Sequence, residues 1–164
     1  MEQKPGIRHH FLPGDVGRIV YLHGTLYARE YGFDHTFEPY VAIPLSKFVG
    51  SKTAREKIWI VEKGKKVCGS LAIVACTEAQ AQLRWFLLHP DLRGVGVGKR
   101  MVAEALTFCS EMGYGSLFLW TVRGLEAATA IYRTAGFTLT KTNTHHIWGR
   151  ELTEERYELS LLPD

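Results

Sequence analysis

The sequence predicts an α/β protein built on a mixed sheet of about seven strands with helices on both faces, in the order β α α β β β α β α β β. Three observations carry this. Residues 116–122, which include Leu117, Phe118, Leu119 and Trp120, are almost uniformly apolar, as in a central strand covered on both faces. Helix-spaced segments lie before and after that run, so strand–helix–strand crossovers supply a parallel portion. Upstream, residues 57–88 divide into strand-like runs separated by short polar turns, the pattern of a meander.

Each element has its own signal. Residues 7–12 read as a short strand, and Pro13-Gly14-Asp15 as a turn with Asp15 as a helix N-cap. Ile19, Val20, Leu22, Leu26 and Tyr27 then fall at helical spacing in a helix that ends near Gly32. Residues 33–40 are aromatic and irregular. A second helix is expected over about 38–48, with Pro44 kinking it or starting a new turn. Gly50-Ser51-Lys52 is a loop. Strands are expected at 57–62, 67–77 and 81–88, with Lys63-Gly64-Lys65-Lys66 as a solvated hairpin tip. Met101, Val102, Ala105, Leu106, Cys109 and Met112 make one buried helix face, closed by Gly113 or Gly115. A helix over 125–135 stops at Gly136. A strand follows at 137–142, then a variable connection through His145-His146, then a last strand at 156–162 with Tyr157, Leu159 and Leu161 alternating on one face.

Length and composition narrow the class. A chain of 164 residues is read as a single domain over 1–164. Hydrophobic content of 46% with 23% charged residues is enough to bury a core. The net charge of +3 is too balanced for a nucleic-acid partner and at most favours an anionic ligand. Cys68, Cys76 and Cys109 have no metal-type spacing and read as reduced thiols of a cytoplasmic protein. Neither His9-His10 nor His145-His146 has a third ligand at a supporting spacing, so no metal is expected. No apolar run is long enough to span a membrane.

The chemistry concentrates in residues 83–112: a strand, the turn His89-Pro90-Asp91-Leu92, the loop Arg93-Gly94-Val95-Gly96-Val97-Gly98-Lys99-Arg100, then a helix. Three glycines at alternate positions leave backbone N–H groups uncovered, and the following helix aims its positive dipole end at the same place, which suits a phosphate. A dinucleotide fingerprint fails, because Lys99 or Met101 stands at the third glycine position. A Walker A loop fails as well. Arg93 replaces its first glycine, and Arg100 replaces the hydroxyl residue that would bind Mg²⁺.

The loop resembles the Arg/Gln-x-x-Gly-x-Gly/Ala signature of the GNAT family of N-acetyltransferases. Ala127 to Phe137 resembles that family's second signature, A-x-x-x-Y-x-x-x-G-F, with Tyr132 at the tyrosine position. The two occur in the family's order with one strand between them. Residues 83–88 and the stretches Ile147-Trp148-Gly149 and Tyr157-Glu158-Leu159 further resemble acetyltransferase domains fused behind a MarR-type regulator.

The resemblance implies an acetyl-CoA-dependent N-acetyltransferase that moves an acetyl group to a primary amine by direct transfer. In it the loop Arg93, Gly94, Val95, Gly96, Val97, Gly98 and Lys99 cradles the pyrophosphate. The strand Phe86, Leu87 and Leu88 binds the pantetheine arm by backbone pairing, like an added strand, and a backbone N–H near Leu87 or Leu88 faces the thioester oxygen. Tyr132 protonates the leaving thiolate. The general base stays open among Glu30, Glu78, Glu126 and a water relay, since Trp120-Thr121 and Leu125 stand where relatives carry a Glu and an Asn. The alternative is a non-catalytic acyl-CoA-binding sensor.

The expected partner is a small-molecule amine, with a protein acceptor second and a homodimer allowed for. Tyr27, Tyr31, Phe33, Phe37 and Tyr40 read as helix packing on the sheet, or else as the acceptor pocket, where Tyr31 and His35 are the first residues to change.

Overall fold

In a computed structural model that describes residues 3–163, the chain forms one seven-stranded sheet and four α-helices. The extreme residues of the 1–164 domain lie outside this range. The elements run β1 (Gly6–Arg8), α1 (Asp15–Tyr31), α2 (Phe37–Ser51), β2 (Lys57–Lys63), β3 (Lys66–Ala75), β4 (Gln80–Leu88), α3 (Val97–Glu111), β5 (Ser116–Val122), α4 (Glu126–Thr134), β6 (Thr138–Ile147) and β7 (Arg150–Ser160). This is the order the sequence predicts. The sheet order is β1-β2-β3-β4-β5-β7-β6, and only β4 and β5 are parallel neighbours. No helix of the described residues is long and apolar enough to cross a membrane.

Each face of the sheet carries its own core. One packs Met101, Val102, Ala105 and Cys109 of α3 and Tyr132 of α4 against Leu71, Ile73, Leu83, Leu117, Leu119 and Tyr157. The other packs Ile19, Leu22 and Leu26 of α1 and Val41, Leu45 and Phe48 of α2 against Ile58, Ile60, Ala72, Trp85 and Leu87. Along β4 the alternation changes phase at an irregularity, so Leu83 meets the α3 side while Trp85 and Leu87 meet α1 and α2.

Four local expectations are corrected. The first strand ends at Arg8. Asp15 is the first residue of α1 rather than its cap; Gly14, at φ 92°, takes the cap position. α2 runs unbroken through Pro44 to Ser51, because the turn before Pro44 is held by Val41, Leu45 and Phe48 against the sheet. The supposed connection through His145-His146 is β-hairpin. β6 and β7 pair from Thr138 opposite Glu158 to Ile147 opposite Arg150, with one bulge at Thr140. Trp148 at φ 53° and Gly149 at φ 83° form the two-residue turn, and positive φ at both positions suits the right-handed twist of the paired strands.

Asp15 has a different task from capping. Arg8 donates to both of its carboxylate oxygens at 2.6 and 2.8 Å, and the Leu12 N–H donates at 2.6 Å. Burial alone would raise this carboxyl, but those donors outweigh it and hold it below the usual carboxylate range. A carboxyl depressed in the fold contributes stability that is complete above its unfolded pKa of about 4. That stability disappears as pH falls through the folded value. Asp15→Asn is expected to lower the melting temperature at neutral pH and to flatten the acid limb of the stability curve, as read by thermal melts across the acid range.

Candidate active site

The site begins with a parting of two strands. β4 and β5 pair only where Gln80, Ala81 and Gln82 meet Ser116, Leu117 and Phe118. Beyond Gln82 the rest of β4 pairs with β3 alone. His89 N–H donates back to Cys68 on β3 at 2.8 Å, so Leu88, one residue earlier, faces the open side. The Arg93 guanidinium reaches the Leu88 carbonyl there at 3.1 Å. An open strand edge needs partners for its N–H and C=O groups, and an extended amide-bearing chain supplies them.

A bulge sharpens the parting. Ser70 faces Leu87 but Ala72 faces Arg84, so β4 holds an extra residue between them. Trp85 adopts φ 49°, a conformation that side chains rarely take. Its carbonyl is satisfied by the fully buried Ser70 hydroxyl at 2.6 Å. Ser70→Ala leaves that carbonyl without a donor and is expected to cost about 1–3 kcal/mol in urea melts.

The glycine loop closes the open end. Gly94 and Gly96 have φ 78° and 88°, and a Cβ on either would meet only open space, so these two glycines serve backbone conformation. Gly96 caps α3 without any side-chain hydrogen bond, and the first turn holds no acidic residue. The N–H groups at the helix start are left for an anion. Gly98 has another reason. A Cβ there would stand 3.0 Å from Ile131 Cδ1, 3.2 Å from Leu88 Cδ1 and 3.2 Å from Phe86 Cζ, so α3 lies directly on α4 and β4.

Arg93 lines the larger cavity and is also engaged within the protein. Its guanidinium is held by both Glu30 oxygens at 2.6 and 3.1 Å and by the Leu88 carbonyl, which ties the loop to α1 and β4. Arg100 pairs with Glu104 on the exposed helix face. Lys99 is the cation of the loop without a carboxylate partner among the described residues, and it lines the cleft.

Two cavities result. The larger, about 520 Å³, runs from Arg93, Gly94, Gly96, Gly98 and Lys99 along Phe86, Leu87 and Leu88. The second, about 100 Å³, lies on the α1 and α2 side, against Arg84, Trp120, Thr121 and Trp148. Tyr27, Phe86, Leu125 and Ala128 line both, so the cavities meet there. Val95 and Val97 line neither.

Tyr132 sits at this junction. It is buried between Phe86, Phe137 and Tyr157, and it lines the second cavity. Burial, reinforced by neighbouring Tyr27, pushes its phenol far above the ordinary value, so it stays protonated.

Sequence reasoning missed His23, a buried residue on α1 stacked on Tyr27 at 5.9 Å. Its Nδ1 lies 2.8 Å from the Ile19 carbonyl. A carbonyl only accepts, so Nδ1 carries the proton and Nε2 keeps the lone pair. No buried side-chain nitrogen of the described residues lacks a partner, so Nε2 opens to the cavity that His23 lines. Burial lowers its pKa to about 4 and keeps it neutral. Helical spacing from Ile19 and Tyr27 was the signal that could have found it.

The base candidates separate by position. Glu30 lines the first cavity but is engaged by Arg93; Glu78 and Glu126 line neither. Glu154, missed in the sequence, is the only carboxylate among the described residues that lines the second cavity, and His145 lies 2.8 Å from it.

The aromatic set both packs and lines. Phe33 and Phe37 are buried against Trp148 at 5.1 and 4.8 Å and line the second cavity with Tyr27 and Tyr40. Tyr31 lines the first cavity, and His35 lies in an exposed turn outside both. The β6–β7 hairpin tip forms the far wall. The Asp34 N–H donates to the Trp148 carbonyl at 2.9 Å, and Arg150 donates to the Tyr31 carbonyl.

Comparison with known proteins agrees with this geometry. The family model of the acetyltransferase (GNAT) family matches residues 23–137. The chain belongs to the GNAT acetyltransferase family. It is 30% identical over 82 residues to the uncharacterized N-acetyltransferase YjgM of Escherichia coli K12, a match covering 48% of this chain and 49% of the relative. The chain thus spans about half the length of that relative. Among solved structures, yncA of Salmonella typhimurium with its cofactor acetyl-CoA has a TM-score of 0.76 at 14% identity, over 98% of this chain and 95% of the other. The spermidine N-acetyltransferase of Vibrio cholerae in complex with CoA and spermine has a TM-score of 0.70 at 17% identity, over 96% and 95%. At these identities the likeness is one of fold.

Proposed function

We propose that this GNAT domain transfers an acetyl group from acetyl-CoA directly to a primary amine. The observation that carries the reading is the meeting of two cavities at Tyr27, Phe86, Leu125 and Ala128, with the buried Tyr132 phenol beside them. Acetyl-CoA supplies the acetyl group as a thioester when bound.

The first turn of α3 and Lys99 suit its phosphates, and the open edge of β4 suits the amide-bearing arm. Gly94, Gly96, Gly98, Phe86, Leu87 and Leu88 make this surface, while Arg93 fixes the loop in place through Glu30. A backbone N–H of the open edge donates to the thioester oxygen, where charge develops. Tyr132 gives its proton to the sulfur that leaves. His23 Nε2 and the Glu154 carboxylate are the proton acceptors on the amine's side.

Direct transfer is favoured because none of the chain's three cysteines lines either cavity. Burial raises the Cys109 thiol to about 12, which makes it a poor nucleophile. A small amine suits the second cavity, of about 100 Å³. Residues 83–88 and the β6–β7 hairpin are also the basis for reading the chain as kin to domains fused to a MarR-type regulator.

The departures at Trp120-Thr121 and Leu125 support a second reading, an acyl-CoA sensor without turnover. Thiol release from acetyl-CoA across an amine panel separates the two. Saturable release with at least one amine is expected; tight acetyl-CoA binding with no release on any amine would leave the sensor.

A further inference from the structure

The second cavity holds a cation that no carboxylate of the described residues pairs with. Arg84 lies on β4 immediately before the bulge, half-buried, and lines the cavity. Arg93, the other arginine that lines a cavity among the described residues, is engaged by Glu30. Arg84 makes no salt bridge among the described residues. Its guanidinium lies over the Trp85 ring at 4.8 Å and beside the Tyr40 hydroxyl, with no carboxylate to neutralise it. Glu154, the carboxylate that lines the cavity among the described residues, pairs through one oxygen with His145 rather than with Arg84.

A planar guanidinium without a carboxylate partner is a receptor for a carboxylate or similar oxyanion. Its position relative to the junction sets the size of the ligand. Arg84 is two residues from Phe86, and both line this cavity of about 100 Å³, so a ligand that spans from Arg84 to the junction is small. Between them stands the wall of Phe33, Phe37, Tyr40 and Trp148, which suits an apolar body.

We propose that the acceptor is a small amino acid, its carboxylate on Arg84, its apolar side group on the aromatic wall and its amine at the His23–Tyr132 end. This rests on the acetyl-transfer reading and names the substrate class for it. Arg84 is the residue that selects acids over bare amines.

The test compares each amino acid with its decarboxylated partner on the same enzyme preparation: phenylalanine with phenethylamine, tyrosine with tyramine, leucine with isopentylamine. Spermidine serves as a polycationic control. The wild type is expected to prefer the acid by about tenfold or more in kcat/KM. Arg84→Met is expected to collapse that ratio at least tenfold, with Arg84→Lys between the two. A ratio on one preparation is unaffected by the fraction folded. Preference of the wild type for the bare amines or spermidine, or an unchanged ratio in Arg84→Met, would overturn the proposal.

If no amine is turned over, the transfer reading falls on its own. Calorimetric titration of the CoA-loaded protein with the same amino acids then decides the site. Binding that weakens tenfold or more in Arg84→Met supports it, and absence of binding overturns it.

Discussion

Tyr132→Phe is expected to lower kcat by roughly a hundredfold or more, within the range for removing a general acid. KM for acetyl-CoA should change far less. The substitution keeps the ring that packs on Phe86, Phe137 and Tyr157 and removes only the hydroxyl. The core around α4 is therefore preserved, and loss of activity reports chemistry rather than unfolding. A hundredfold loss corresponds to about 2.7 kcal/mol on the barrier. Burial holds the phenol protonated through the whole working pH range, so the proton is available at the sulfur whenever the thiolate departs. The wild type should accordingly show no loss of rate on the alkaline side that can be traced to Tyr132. Steady-state rates of thiol release decide this. Unchanged kcat in the phenylalanine variant would remove Tyr132 from the mechanism and leave it a core residue.

Gly98→Val is the second large effect. A Cβ at this position already stands 3.0–3.2 Å from Ile131, Leu88 and Phe86, and two further methyl groups have no room. The first turn of α3 must move off α4 and β4, at a cost of about 1–3 kcal/mol in overpacking. That turn carries the N–H groups of the cradle, so affinity falls together with stability. Acetyl-CoA binding by calorimetry is expected to weaken at least tenfold. Gly94→Ala supplies the contrast, because its Cβ meets nothing within 4 Å and the change strains only a φ of 78°. If Gly98→Val bound acetyl-CoA like the wild type, the close approach of α3 to β4 would have no part in holding the cofactor.

The fold was legible because its signals are local. Alternation in β7, the apolar run of β5 and the helix-spaced face of α3 each place one element without reference to the others. The glycine loop was legible for the same reason, since positive φ and close packing both demand glycine in a short stretch. Tertiary partnership was not legible. Arg93 looked free in the sequence, but its carboxylate partner Glu30 lies on another helix, 63 residues away. The β6–β7 hairpin was obscured because β6 is an edge strand exposed on most of its length, and so has no apolar alternation to read. His23 and Glu154 face the second cavity from α1 and β7, and only the closing of the sheet brings them together. A lone histidine on an apolar helix face carries no mark of that in its neighbours.

Direct transfer across the junction of the two cavities is tested most directly by initial rates with acetyl-CoA and the best amine of the panel both varied. Reciprocal plots that intersect, together with no acetyl label retained on the protein when amine is omitted, are the predicted result. Parallel plots with a stoichiometric acetyl-protein adduct would contradict it and would require a nucleophile that neither cavity offers as a thiol.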